Sequence, residues 1–288
     1  MSNLFKKCLI AGDIFITETI LTGLQQHDDI TQYWVLEPNP QRRDELIRKY
    51  NLHVVDNPDE FINEAAFIIL TCKAEDAKDL LAKIENKVPK STLIVSVLGS
   101  IAHKFIQNFF PDNEVIRLVV NPSIISNEGL GAYFVGSKTN AQADETAKDL
   151  LAKFGSITKV ETEDELDDIR NFILANTFLS YVVVKSMIEA GIKAGFSMEQ
   201  AGLITDKILK GASHTLVKFQ LEGSEMLKEG MRKTDITNYA IELIKSYGIY
   251  DSIERYLTAK EAKTLFESSN DVTDSDVNYD WFEKFVNQ

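Results

Sequence analysis

Cysteine is almost absent from this chain: Cys8 and Cys72 are the two in 288 residues, and both sit inside strand-like apolar runs. Thiols so placed read as buried and reduced, which excludes a disulfide framework. Histidine is nearly as sparse. His27, His53, His103 and His214 show no ligand spacing, so no metal site is expected. Uninterrupted apolar runs are no longer than a strand, far below the ~18 residues that suggest a membrane span. Positive charge is also in deficit: 31 Lys and Arg against 44 Asp and Glu leave a net −13 and a pI near 4.9. A field of that sign repels phosphate backbones and anionic lipid, which argues against nucleic acid or a membrane as a partner. The opening "MSNLFKKCLIAG" has an apolar run that breaks at Gly12 and Asp13, too early for a signal-peptide core, and a cytoplasmic location is the expectation.

Proline vanishes halfway along. All six lie at or before Pro122, and that asymmetry marks a change of architecture. The first half alternates between apolar runs ("KKCLIAG", "QYWVLEP", "AAFIILTC", "STLIVSVLG", "VIRLVVNP", "AYFVGS") and helical patterns at Thr17–Gln26, Pro40–Tyr50, Asp76–Asn86 and Ala102–Phe109. Apolar runs without polar alternation, separated by amphipathic segments, predict a parallel sheet covered on both faces: a doubly wound α/β domain over residues 1–160. Beyond Glu161 the periodicity is helical. Asp164–Ala194 reads as one long helix with a broad apolar face, followed by helices at Met198–Glu222, Ile236–Tyr247 and about Ile249 to Ser268. This predicts a helical domain over 161–270. The acidic "ESSNDVTDSDVNYD" then leads to Tyr279, Trp281, Phe282, Phe285 and Val286, an acidic and aromatic tail over 271–288 expected to pack on the helical domain or on a second copy.

Glycine is missing where a dinucleotide site would need it. A strand, G-x-G-x-x-G and a helix bind pyrophosphate because the glycines allow a tight turn and close approach to the helix N-terminus. Here the three positions fall on Gly12, Ile14 and Thr17. Gly12 keeps the turn, whereas Ile14 puts a branched side chain where the phosphates approach. At the end of the second strand, in "VLEPNPQRR", Glu37 fits a ribose contact of NAD type, while Arg42 or Arg43 can instead meet a 2′-phosphate. Lys73 and Asn121 end two further strands at the carboxyl edge, where ligands bind in this fold class.

Longer stretches carry a resemblance. "AAFIILTCK" resembles the strand of the pyrroline-5-carboxylate reductase family that ends in A-V-K-P, keeping Lys73. "VIRLVVNPSIISNEGLGAYFVG" resembles that family's R-x-M-P-N-T-P-A-x-x-G-E-G, keeping Arg117, Asn121, Glu128 and Gly129. "MIEAGIKAGFSMEQAGLITDKILKGASHTL" follows its long "EALADAGVRLGLPREQA" region. The resemblance implies an N-terminal Rossmann-like domain, an all-α C-terminal domain that interlocks two subunits, and NAD(P)H-dependent reduction of a cyclic imine of the kind that closes proline biosynthesis. It also implies a nucleotide held by Gly12, Ile14, Thr17, Glu37, Lys73 and Asn121. Substrate contacts would fall on Glu128, Asn176, Thr177, Arg232 and Thr237, with Thr237 and Lys73 nearest the chemistry.

Two family signatures are altered. S-G-S-G-P-A-Y falls on "ILANTFL", Ile173 to Leu179, where Asn176 and Thr177 are the polar side chains that remain. T-S-P-G-G-T-T falls on "MRKTDIT", Met231 to Thr237, with Thr237 kept and Arg232 and Lys233 as cations able to meet a carboxylate. If Ile173–Leu179 runs on as helix, its amides are committed to i−4 carbonyls and form no cradle. Three functions follow: a reductase of this family, a member that has lost catalysis and acts as a dimeric binding or regulatory protein, or a reductase of a different small anionic substrate.

Overall fold

The computed structural model describes residues 8–12, 14–27, 33–136, 141–220, 239, 242–244 and 246–248. Its chain divides into two compact units, residues 1–174 and 175–288.

Eight strands form one sheet in the first unit: β1 (Cys8–Gly12), β2 (Tyr33–Leu36), β3 (His53–Val55), β4 (Phe67–Thr71), β5 (Leu93–Ser96), β6 (Val115–Val120), β7 (Leu130–Val135) and β8 (Ser156–Val160). Their order is β3-β2-β1-β4-β5-β6-β7-β8, parallel throughout except for the antiparallel β6–β7 pair. The order reverses between β1 and β4, the switch point at which this class of sheet opens a crevice beyond its carboxyl edge. In register, Gly12 pairs with Thr71, and Leu70 with Ser96.

Alternation along each strand sorts the core onto two faces. From β4, Phe67 and Ile69 pack with Ile20, Leu21 and Leu24 of α1 (Ile14–Gln25) and with Leu46 and Tyr50 of α2 (Pro40–Tyr50). The intervening Ile68 and Leu70 meet Ala77, Leu81 and Ile84 of α3 (Ala74–Ile84) and Ile106 of α4 (His103–Phe109). Helix α5 (Ala141–Leu151) joins the α1 face through Leu150 and Leu151. Both faces are therefore dry, which is why the parallel strands read as continuous apolar runs.

Helix α6 (Glu163–Lys193) begins in the first unit and ends in the second. Three acidic residues occupy its first turn, where the helix dipole favours them, and Leu166 packs on Val119, Ala132 and Val160. Gly195, at φ +97°, closes the turn after α6, a conformation natural to glycine. Ser197 and Gln200 then form a reciprocal capping box that starts α7 (Met198–Phe219). Within the second unit α6 and α7 approach closely at Gly191, where an added Cβ would stand 2.9 Å from that of Ala201. Exposed apolar side chains run along both helices, among them Phe178, Val182, Leu203 and Ile208. An 18-residue window of α6 has a mean hydropathy of 1.3 and is 11% buried, which makes the helix long and apolar enough to cross a membrane by length and composition alone. Counting uninterrupted runs overlooks it, because Asn171, Asn176, Thr177 and Ser180 break the apolar sequence. The predicted helices at 236–247 and 249–268 and the aromatic tail lie mostly or wholly outside the described residues.

Candidate functional site

Two short contacts assemble the carboxyl edge of β1 and β4. Gly12 has φ +148°, and a Cβ there would fall 1.8 Å from the Cys72 amide nitrogen. The turn out of β1 thus runs hard against the backbone leaving β4. Helix α1 begins at Ile14, earlier than the predicted Thr17, so its N-terminal amides stand directly behind the turn. Thr17, at the third glycine position, is buried, and its Oγ1 lies 2.8 Å from Oγ1 of Thr71, the last residue of β4. A hydroxyl pair here replaces the close helix–strand contact that glycine would allow. The Ile14 side chain lies outside the described residues.

Glu37 follows β2 and is 4% exposed. Its own amide donates to the Val55 carbonyl at 2.9 Å, and its Oε1 accepts the Asn39 amide at 2.8 Å. Asn39 caps α2: its Oδ1 accepts the amides of Gln41 and Arg42 at 3.0 and 3.3 Å. Arg43 turns back on the corner, donating to the Glu37 and Pro38 carbonyls and pairing with Asp56 at 3.2 Å. Arg42 is exposed.

Lys73 is the exposed residue preceding α3, and its carbonyl accepts the Asp76 amide at 3.1 Å. Asn121, past the end of β6, is buried and pins the next strand: its Oδ1 accepts the Leu130 amide at 2.9 Å, and its Nδ2 lies 3.3 Å from Ser123 Oγ. Glu128 is exposed in the same loop, with its amide donating to the Ser123 carbonyl. The Gly129 that follows is dictated by packing, since a Cβ there would lie 1.7 Å from the Phe154 carbonyl. Among the predicted nucleotide contacts, Gly12 and Thr17 thus meet at the β1–β4 crossover, and Glu37 stands at the end of β2.

Asn176 and Thr177 belong to the second unit and lie on α6, which is unbroken through Ile173–Leu179. Thr177 is buried and Asn176 partly so. Helical amides in this stretch are spent within the helix, so a backbone cradle for a carboxylate is absent from it. Arg232, Lys233 and Thr237 lie outside the described residues. Among the described residues no group of three or more His, Cys, Asp or Glu can hold a metal ion.

Sequence reasoning noted Arg117 and missed its use. It points between Val115 and Val119 on the α3 and α4 face of β6, is 3% exposed, and donates to Glu163, to Asp167 at 3.0 Å and to the Gly99 carbonyl at 3.0 Å. Glu163 Oε1 also accepts the His103 amide at 2.5 Å, and Arg170 donates to the same Gly99 carbonyl. A cation at period 2 within an apolar strand was the available signal, since burial demands a carboxylate partner.

The nucleotide test is therefore mixed. The tight turn, the helix N-terminus behind it and the acidic residue after β2 suit a dinucleotide, whereas two of the three glycine positions carry larger residues.

Residues 9–100 match a family model described as NADP oxidoreductase, coenzyme F420-dependent. Over 229 residues the chain is 20% identical to a pyrroline-5-carboxylate reductase of Pseudomonas aeruginosa, covering 79% of this chain and 84% of that one. Against pyrroline-5-carboxylate reductase 1 of Bacillus subtilis it is 22% identical over 269 residues, 91% and 90% of the two chains. The structure superposes on that of Plasmodium falciparum pyrroline carboxylate reductase with NADP bound at a TM-score of 0.76 and 18% identity, over 91% of this chain and 98% of that one. The Coxiella burnetii pyrroline-5-carboxylate reductase gives 0.69 at 17%, over 91% and 97%. In fold, and at about a fifth of the aligned positions along most of its length, the chain is similar to pyrroline-5-carboxylate reductases.

Proposed function

We propose that this protein is an NAD(P)H-dependent reductase of a small cyclic imine, of the pyrroline-5-carboxylate type, working as a cytoplasmic homodimer or higher homo-oligomer. The observation that carries the reading is the β1–β4 crossover: a glycine turn against the neighbouring strand, a helix N-terminus behind it, and Glu37 at the next strand end. A reduced nicotinamide, when bound, supplies the hydride. The chain's part is to hold and orient. The α1 amides receive phosphate oxygens, Glu37 accepts from a ribose hydroxyl, and Lys73 places a cation at the carboxyl edge. Thr237, with Arg232 beside the same signature, is assigned to the substrate carboxylate and imine. The apolar side chains exposed on α6 and α7 favour coverage by a second copy.

The unbroken α6 favours a second reading, a dimeric binding protein without catalysis, because the family's amide-rich signature is replaced there by ordinary helix. Titration of the intact protein with NADH and NADPH, followed by an assay of pyrroline-5-carboxylate-dependent nucleotide oxidation, separates the two. Turnover supports the reductase. Binding without turnover supports the second reading, unless other small anionic imines are turned over. No binding at millimolar nucleotide removes the reductase. Ile14→Gly is expected to tighten nucleotide binding by opening the turn, and unchanged affinity would clear Ile14 as the obstacle.

A further inference from the structure

The segment between β5 and α4 holds one peptide unit from one side only. Ser96 ends β5, the Val97 amide donates to the Leu70 carbonyl at 2.9 Å, and the chain then turns, with the Ile101 amide donating to the Leu98 carbonyl at 3.1 Å. This turn follows a parallel strand and so stands beyond the carboxyl edge of the sheet. Its Gly99 carbonyl accepts from two cations: Arg117 of β6, through Nη2 at 3.0 Å, and Arg170 of α6, through Nη1. Asp167 pairs with both guanidinium groups, at 3.0 Å from Arg117 and 3.2 Å from Arg170, and Glu163 pairs with Arg117 Nη1. Neither cation is needed to close the turn, which the Ile101 amide already does.

A trans peptide carries its N–H opposite its carbonyl, and no peptide bond among the described residues is cis. The N–H that shares a peptide with the Gly99 carbonyl is that of Ser100, so it points away from both guanidinium groups. Ser100 is exposed, and among the described residues nothing accepts from its amide. Two charge-assisted bonds to the oxygen polarise the peptide and strengthen the opposite N–H as a donor. A donor held from behind and open in front is preorganised for an acceptor oxygen. We infer that Arg170, together with Arg117, is a positioning residue that fixes the Gly99–Ser100 peptide, so that the Ser100 amide donates to a carbonyl or carboxylate oxygen of a ligand bound over the carboxyl edge. The inference rests on the proposed reductase reading, in which that oxygen belongs to the nicotinamide carboxamide or to the carboxylate of the cyclic imine.

The test is amide NMR of the intact protein titrated with NADH and then with L-proline, the carboxylate product of the proposed reaction. The Ser100 amide proton is expected to shift downfield. A shift with NADH alone assigns the oxygen to the nucleotide, and one that requires proline assigns it to the carboxylate. Arg170→Met keeps the stem beside Gly99. In that variant the shift should shrink and kcat should fall about tenfold, while NADH affinity stays within about threefold, because the phosphate and ribose contacts lie at the β1 and β2 ends. Arg170 is partly exposed, so the melting temperature should drop by no more than about 4 °C. Arg170→Lys keeps a charged donor and should recover most of the shift and of kcat, which a mere loss of stability would not explain. If the protein binds without turnover, the Ser100 shift decides alone. Bound NADH with a Ser100 amide that stays in place under both ligands, or a shift unchanged in Arg170→Met, overturns this inference and spares the reductase reading. Failure to bind NADH or proline overturns both.

Discussion

Arg117 and its two carboxylates are unequally buried, and this asymmetry predicts which side of the cluster matters more. The guanidinium side chain is 3% exposed, whereas those of Glu163 and Asp167 are 29% and 40% exposed. Removing the cation leaves two carboxylates that can turn toward water. Removing both negative charges strands a cation inside the sheet. Breaking a buried pair from one side costs about 3–5 kcal/mol. In the double variant Glu163→Gln/Asp167→Asn the amide oxygens still accept and Gly99 still contributes its carbonyl, so the lower end applies, about 3 kcal/mol. Arg117→Met keeps most of the side-chain volume and should cost less, about 1–2 kcal/mol, because the partly solvated carboxylates recover hydration. Urea denaturation followed through Trp34, with Trp281 replaced by Phe, reports on the first unit, which holds Trp34 and the whole cluster. A double carboxylate variant that loses less stability than Arg117→Met would refute the reasoning, since it would mean that the cation is reached by water.

Thr17→Val should cost about 1–3 kcal/mol because it leaves the fully buried Thr71 hydroxyl without its partner, and Thr17→Val/Thr71→Val should recover most of that loss in the same denaturation assay. Burial raises the Asp144 carboxyl, but hydrogen bonds from Lys159, Lys148 and Tyr133 outweigh it and hold the group below its ordinary range. A carboxyl whose pKa is depressed by folding stabilises above its unfolded value and loses that contribution as pH falls through the folded one. Asp144→Asn should therefore cost up to about 1 kcal/mol at neutral pH, with the difference from the unaltered protein closing below about pH 4 in melts run across the acid range.

The elements that bury a continuous apolar face were legible before the structure was known. Pro40–Tyr50 has the bounds expected for it, because a first-turn proline is local chemistry. The long helix differs from its expected bounds by one residue at each end. Strands β3 and β8 and helix α5 were not anticipated. β3 has three residues and β8 is mostly exposed, so neither shows an apolar run, and β8 is held by pairing with β7. The antiparallel turn of β7 depends on Gly129 fitting under the Phe154 carbonyl, a contact between residues distant in sequence. At the site, the strand-end positions of Gly12, Glu37, Lys73 and Asn121 followed from the βα alternation. Their hydrogen bonds did not, because whether Asn121 faces a ligand or pins β7 is decided by a partner nine residues away.

The demand for glycine at position 12 comes from the neighbouring strand's main chain. Any descendant that keeps this sheet must keep that residue, with or without a nucleotide to bind. Natural selection on folding alone would preserve the opening letter of a phosphate-binding signature long after the chemistry had gone. The larger residues at the signature's other two places are thus the ones on which selection for the ligand would leave its mark.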